Sequence, residues 1–192
     1  MIFIEKIPDS EAKNALSKFI QKQKSAGANL HYKYFQQSDG KGLVQNSLLK
    51  EQYYLCAYCM RRIHTAEKIE HWSSQEESKN SNNAIETLDY RNMLAVCEGT
   101  SGSHNHCDQS RSLKNPTLTV NPTKKEIIQQ VKYLKNGKIY SENSMINNDL
   151  NSPDVLNLNN ISLMDERKKA YEAVKKSIDI KLEENQKVRL KQ

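Results

Sequence analysis

Four cysteines, all between positions 56 and 107 of a 192-residue chain, constrain the fold of this sequence more than any other feature. Cys56 and Cys59 form a Cys-x-x-Cys turn, and Cys97 and Cys107 make a second, wider pair. Little else is available to consolidate a core: 36% of residues are hydrophobic and 27% charged, and the mean hydropathy is -0.83. A chain this polar buries a modest apolar core and gains from a covalent or metal staple. Two disulfides would be one such staple. Met1 to Lys6 is too short and too quickly charged to be a secretory leader, so a reducing cytoplasmic setting is the expectation. There, thiolates bind metal in preference to pairing with each other. Zn2+ takes four soft or borderline ligands in a tetrahedron. Cys56, Cys59, Cys97 and Cys107 supply them using every thiol, with His104 or His106 as the alternative fourth donor.

No run of apolar residues is long enough to span a bilayer, so no membrane association is expected. The net charge of +6 fits a polyanionic partner such as nucleic acid without requiring one. The basic residues are dispersed (Lys18, Lys22 and Lys24, then Arg167 to Lys169, Lys175, Lys176 and Lys191) and read as solvated helix faces.

The length suits one domain, or one small domain carrying helical extensions. Residues 1–52 read as an N-terminal strand or extended arm, followed by helices. Asp9 or Ser10 caps the first helix, whose Ala12, Leu16, Phe19 and Ile20 share a face, and Gly27 ends it. Residues 28–47 read as a loop into a short helix near 43–52. Residues 53–122 hold the cysteines and form the centre. In 123–192, Asn136-Gly137 marks a hairpin over 131–140. The Asn-rich stretch 143–160 reads as a loop anchored by Leu156 and Leu158. A last helix over about 162–190 carries Met164, Tyr171, Val174, Ile178 and Leu182 along one side, as core or as a partner contact.

Between the cysteine pairs lie residues suited to phosphodiester chemistry. A neutral histidine at His71 can take a proton from water. Glu70 and Asp108 offer hard oxygen ligands for Mg2+ or Mn2+, which would neutralise phosphate charge. The Asn92 side-chain carbonyl can orient the histidine ring, and Arg111 can contact phosphate. Taken singly, each has a plainer reading: a surface Glu-His pair, a turn asparagine, a helix-capping aspartate, a solvated arginine. Strand alternation would also point Glu70 and His71 to opposite sides, unless a bend turns both toward one metal. Their order between the candidate zinc ligands is what joins them.

The run Cys56-x-x-Cys59, Glu70-His71, Asn92, Cys97 and Cys107-Asp108-x-x-Arg111 resembles the HNH endonucleases, the treble-clef-like ββα-metal nucleases. Their usual Asp-His is Glu70-His71 here, and their final His or Asn is Asp108; the wide second cysteine spacing is another departure. The resemblance implies an α+β fold: a small zinc-stapled ββα-metal core with flanking N- and C-terminal helices. It also implies metal-dependent hydrolysis leaving 5′-phosphate and 3′-hydroxyl ends, with DNA the favoured substrate.

Over most of its length the chain is similar to the HNH nuclease subunit of Septu and retron-associated anti-phage systems. The matching residues are Met1-Ile2-Phe3-Ile4, Tyr54 to Cys59, Ile69-Glu70-His71-Trp72, Leu88-Asp89-Tyr90-x-Asn92, His106-Cys107-Asp108 and Leu156-x-Leu158-Asn159. That implies an ABC/SMC-like ATPase subunit as partner, with a retron as a further one. The rival expectations are an HNH nuclease cutting RNA such as tRNA, and a non-catalytic zinc-binding module for nucleic acid or protein.

Overall fold

The computed structural model describes residues 1–64, 68–74, 86–101, 104–111 and 117–189. The architecture is α+β, with helices around small antiparallel two-stranded sheets. The first residues form an extended arm, tied by the Ile4 amide to the Pro122 carbonyl at 2.9 Å, and not a strand of a sheet. Helix α1 (Ser10–Ser25) starts at Asp9, whose carboxylate accepts from the Ala12 amide at 2.9 Å. Glu11 in its first turn and Lys22 and Lys24 in its last complement the helix dipole. Ala12, Leu16 and Phe19 form its buried face and pack on α3 (Gly40–Glu51).

The 28–47 segment is less of a loop than its polarity suggests. Tyr32–Phe35 makes a one-turn helix, α2, and α3 begins at Gly40 rather than near 43. Burial is the cause: Tyr32 and Phe35 turn inward, and the Phe35 ring meets Phe19 edge-on at 5.3 Å.

Two consecutive left-handed residues, Tyr53 (φ 54°) and Tyr54 (φ 59°), then redirect the chain into the cysteine turn. That conformation costs roughly 1–3 kcal/mol per residue. It persists because Gln52 over-determines the corner: its buried amide accepts from the Ala95 amide and donates to the Ala95 carbonyl, both at 2.8 Å, and also donates to the Leu55 carbonyl. The central hairpin pairs β1 (Lys68–His71) with β2 (Met93–Val96), His71 opposite Met93 and Lys68 opposite Val96. All four residues of β2 are buried, so this strand is covered on both faces.

A smaller hairpin, β3 (Thr100–Ser101) with β4 (His104–Asn105), leads into a 3-10 turn, Cys107–Ser110. Gly99 (φ 80°) allows this close return; a Cβ there would lie 2.4 Å from the His106 carbonyl oxygen. A one-turn helix, α4 (Lys125–Ile128), precedes the hairpin of β5 (Lys132–Tyr133) and β6 (Ile139–Tyr140). Its turn runs from Leu134 to Gly137, with Gly137 in the left-handed position after Asn136 (φ 85°).

The Asn-rich stretch is not a plain loop. It contains α5 (Ser144–Asn151), capped by the Asn143 side chain, and Asn160 caps the next helix by accepting from Leu163. Asparagine placed at helix starts reads as loop by composition while building caps. Leu156 and Leu158 are fully buried, as expected. The last helix, α6 (Ile161–Arg189), buries Leu163 and is anchored by Arg167 donating to the Gly137 carbonyl at 2.6 Å. Further along, Tyr171, Val174, Ile178 and Leu182 are exposed, so this stripe is not core. A single apolar cluster runs from Ile4 through the β1–β2 hairpin to Leu163, joining all three segments expected from sequence.

Candidate metal centre and the adjoining carboxylate site

The cysteine turn brings Cys56 and Cys59 together by local geometry. The Met60 amide donates to the Cys56 carbonyl at 3.1 Å, the Cys56 amide donates to Arg61, and Met60 adopts φ 66° to close the knuckle. A hydrogen bond donated by the Ala57 amide to the Ala95 carbonyl at 3.1 Å then fixes the knuckle against β2, whose exit carries Cys97. Cys107 opens the 3-10 turn, itself left-handed (φ 54°) and held by the Leu156 carbonyl at 2.9 Å.

The four ligand sulfurs lie within 4.8 Å of one another, and all four residues are buried. Cys56 and Cys107 sulfurs are 3.8 Å apart, and those of Cys59 and Cys97 3.7 Å. A disulfide would hold them at about 2.05 Å. Four sulfurs at about 2.3 Å from one Zn2+ would stand about 3.8 Å apart along the edges of a tetrahedron. The spacing therefore fits a metal site of the zinc type and excludes cystine. The protons are unevenly held. Hydrogen bonds with Cys107, Cys56 and Cys59 pull the Cys97 thiol far down, whereas burial and hydrogen bonds with Cys56, Cys59 and Cys97 push Cys107 well up. A divalent cation would favour the thiolate at every position.

His106 does not displace a cysteine. Its ring is fully buried beside the cluster, Nδ1 3.2 Å from the Cys107 sulfur and 4.0 Å from that of Cys97, with Nε2 3.4 Å from Arg61. It supports the sulfurs from outside. The His104 side chain lies outside the described set.

The β1 strand presents the remaining candidates on two sides, as alternation dictates. Lys68 and Glu70 face the 3-10 turn. Arg111 donates from Nη1 to Glu70 and, at 3.0 Å, to the His71 carbonyl, while Lys68 reaches Asp108 at 3.2 Å. Glu70 and Arg111 are both buried, and burial lowers the Arg111 pKa. Asp108 is partly exposed.

His71 turns the other way. Its ring packs edge-on to Tyr32 at 4.6 Å, and Nε2 donates to the Thr87 carbonyl at 2.9 Å, which leaves Nδ1 as the basic nitrogen. Burial drives its pKa down to about 4, so the imidazole is neutral at pH 7. No bend brings Glu70 and His71 together. Asn92 bonds two residues further along the chain than expected: its side chain accepts from the Ser73 amide at 2.9 Å and donates to the Ser73 carbonyl at 3.2 Å. It fixes the exit of β1, and Thr87 rather than Asn92 orients the ring.

Lys68–Asp108 and Glu70–Arg111 are thus two ion pairs between β1 and the 3-10 turn with its following residue, with His71 and Asn92 on the other side and at the exit of the same strand. Among the described residues, the four cysteines are the one group of three or more histidine, cysteine or carboxylate donors close enough to share an ion. Lys68 escaped sequence reasoning, although its place two residues before Glu70 puts it on the same strand face. Comparison with protein-family models and with curated proteins returned no match, so the functional reading rests on the chain's own residues.

Proposed function

We propose that this protein is a metal-dependent endonuclease of the HNH type, a zinc-stapled ββα-metal enzyme hydrolysing phosphodiester bonds, with DNA the favoured substrate. The observation that carries the reading is that Glu70 on the β1–β2 hairpin and Asp108 on the short helical turn, each paired with a cation of the chain, lie on the elements that adjoin a four-thiol cluster. Cys107 and Asp108 are consecutive, so the turn that completes the thiol site also delivers the second carboxylate.

Glu70 and Asp108 are the oxygen donors for Mg2+ or Mn2+, and the bound ion would stabilise negative charge on phosphate and leaving oxygen. Arg111 and Lys68, which neutralise these carboxylates in the present arrangement, are the cations available to a phosphate. His71, neutral and held by Thr87, is the proton acceptor of this reading, and its ring lies on the opposite side of β1 from Glu70, so the role requires the ring to leave its Tyr32 packing. Asn92 keeps the strand exit in register through Ser73.

The wider role that goes with this reading is an anti-phage effector working with an ABC/SMC-like ATPase, for which the exposed stripe of α6 is available surface. A second reading, a non-catalytic zinc module, is favoured by two observations: His71 is 1% exposed, and both carboxylates already carry cations of the chain. One experiment separates them. The zinc-loaded protein is assayed with Mg2+ or Mn2+ on DNA and RNA, alongside Glu70→Gln and His71→Ala. Cleavage by the parent, lost in both variants with zinc content unchanged, supports the enzyme; cleavage that survives both changes removes the catalytic assignment. RNA cut in preference to DNA would reassign the substrate.

A further inference from the structure

A cleft of about 470 Å3 opens where β1 leaves its sheet, immediately beyond His71. This volume lies within the roughly 300–1,000 Å3 of small-ligand pockets. Trp72 and Ser73 line it together with Arg91 and Asn92, and the extended N-terminal arm adds Phe3. The cleft is built, not incidental. Asn92 ties its own side of the cleft to Ser73 through two hydrogen bonds, and the Trp72 indole donates to the Arg91 carbonyl at 3.2 Å.

The charges lining it largely cancel. Asp89 is gripped by Nε and Nη2 of Arg91, and the Lys6 ammonium is committed to Glu51 and to the Met93 carbonyl. Glu5 and the exposed Lys124 remain. A nearly neutral cleft with two aromatic side chains, Trp72 partly buried and Phe3 40% exposed, suits the flat face of a base better than a phosphate alone. Its position suits a base as well. Asn92 and Ser73 belong both to this cleft and to the exit of the strand that carries Glu70 and His71.

We infer that the cleft is a nucleobase subsite: it seats an unpaired base of a nucleic-acid strand, stacked on Trp72 and Phe3, while the adjoining phosphates pass the Glu70–Asp108 site. This rests on the nuclease reading for the placement of the phosphate, and it deepens that reading by naming the substrate state. A base inside a duplex has no face to offer, so the bound strand is single-stranded or has the nucleotide turned out of the helix.

Trp72 is the chain's single tryptophan and therefore a reporter placed in the cleft itself. The zinc-loaded full chain is titrated, without added Mg2+ or Mn2+, with a labelled single-stranded oligodeoxynucleotide, the matching oligoribonucleotide, and a duplex of the same sequence. Trp72 emission and the anisotropy of the label are read together. A single strand is expected to quench or shift Trp72 emission over the concentrations at which anisotropy saturates, and the duplex to do so weakly. Phe3→Ala should weaken single-strand binding roughly tenfold. Lys124→Ala should lower the salt slope by about 0.7. Neither residue is placed among the catalytic or zinc-binding groups.

Trp72 emission unchanged at saturation, no single-strand binding at all, an equal response to duplex, or an unaltered affinity in Phe3→Ala would each overturn the subsite. The two readings fail separately. Cleavage with a silent Trp72 removes the subsite and leaves the nuclease. A responsive Trp72 in a protein that cuts nothing removes the nuclease and leaves a base-binding cleft.

Discussion

Removing the metal from the four-thiol site should unfold the centre of the protein rather than trim its surface. Two sulfur separations, 3.7 and 3.8 Å, match the edge of a tetrahedral zinc site, and all four ligand atoms lie within 4.8 Å of one another, so zinc binding requires at most small shifts of the knuckle, the β2 exit and the Cys107 turn. Structural zinc contributes apparent binding energies of about 10–16 kcal/mol in small zinc-dependent folds. Whole domains are stable by about 5–15 kcal/mol. Even free zinc at only a thousand times its dissociation constant adds about 4.1 kcal/mol. For a chain of this size that corresponds to roughly 8–16 °C in Tm, at about 2–4 °C per kcal/mol. The assay combines metal analysis, thermal melting with and without a strong chelator, and thiol reactivity. One zinc per chain, slow thiol modification in the loaded protein, and a chelator-induced drop of at least that size are expected. A chelated protein that melts at the same temperature with its cysteines still protected would refute the reasoning, because burial alone would then hold the four thiols together.

Other perturbations probe the neighbouring groups. His71 has a pKa near 4 in the folded chain against an ordinary 6.5. The unfolded chain therefore binds the extra proton first, and the stability contributed is complete above pH 6.5 and lost as pH falls through 4. The loss is about 3 kcal/mol, and His71→Gln should flatten this part of the profile in urea titrations; a parallel profile would refute it. Arg111→Met leaves Glu70 buried without a partner and should cost about 3–5 kcal/mol, with Glu70→Gln in the same chain recovering much of it, as a double-mutant cycle would read. Val174→Glu with Ile178→Glu on α6 should change unfolding by no more than about 0.5 kcal/mol per site, both side chains being over half exposed. If this face carries the ATPase, the same pair abolishes co-purification; an intact complex would exclude the face.

The four-cysteine cluster was legible in the sequence because it depends on few residues whose chemistry is specific. Four thiols with no competing role gather wherever the chain permits, and the Cys-x-x-Cys turn sets half the geometry locally. The facing of Glu70 was also legible, from the two-residue period of a strand. What the sequence did not disclose depends on partners far along the chain. The His71 ring is placed by Tyr32 and Thr87, the Asn92 side chain by the Ser73 backbone, and the knuckle by a glutamine, Gln52, that acts as an extra strand edge on Ala95. The Asn-rich segment misled for a different reason: composition records how polar a side chain is, but not that its oxygen faces a helix start.

These two kinds of legibility meet at Cys107-Asp108. The first residue is fixed by sulfur chemistry, and the second reaches Lys68 on the strand that carries Glu70. Because a single turn of 3-10 helix carries both Cys107 and Asp108, the thiol site positions Asp108 mechanically. If Cys107 loses its anchor, Asp108 loses its register against Glu70 before any carboxylate is altered. On the nuclease reading, zinc removal should therefore abolish Mg2+-dependent cleavage even where excess Mg2+ is supplied, and restored zinc should restore it. A protein that kept cleaving after its zinc had been stripped would show that the carboxylate site holds its own geometry, and the coupling through this turn would have to be abandoned.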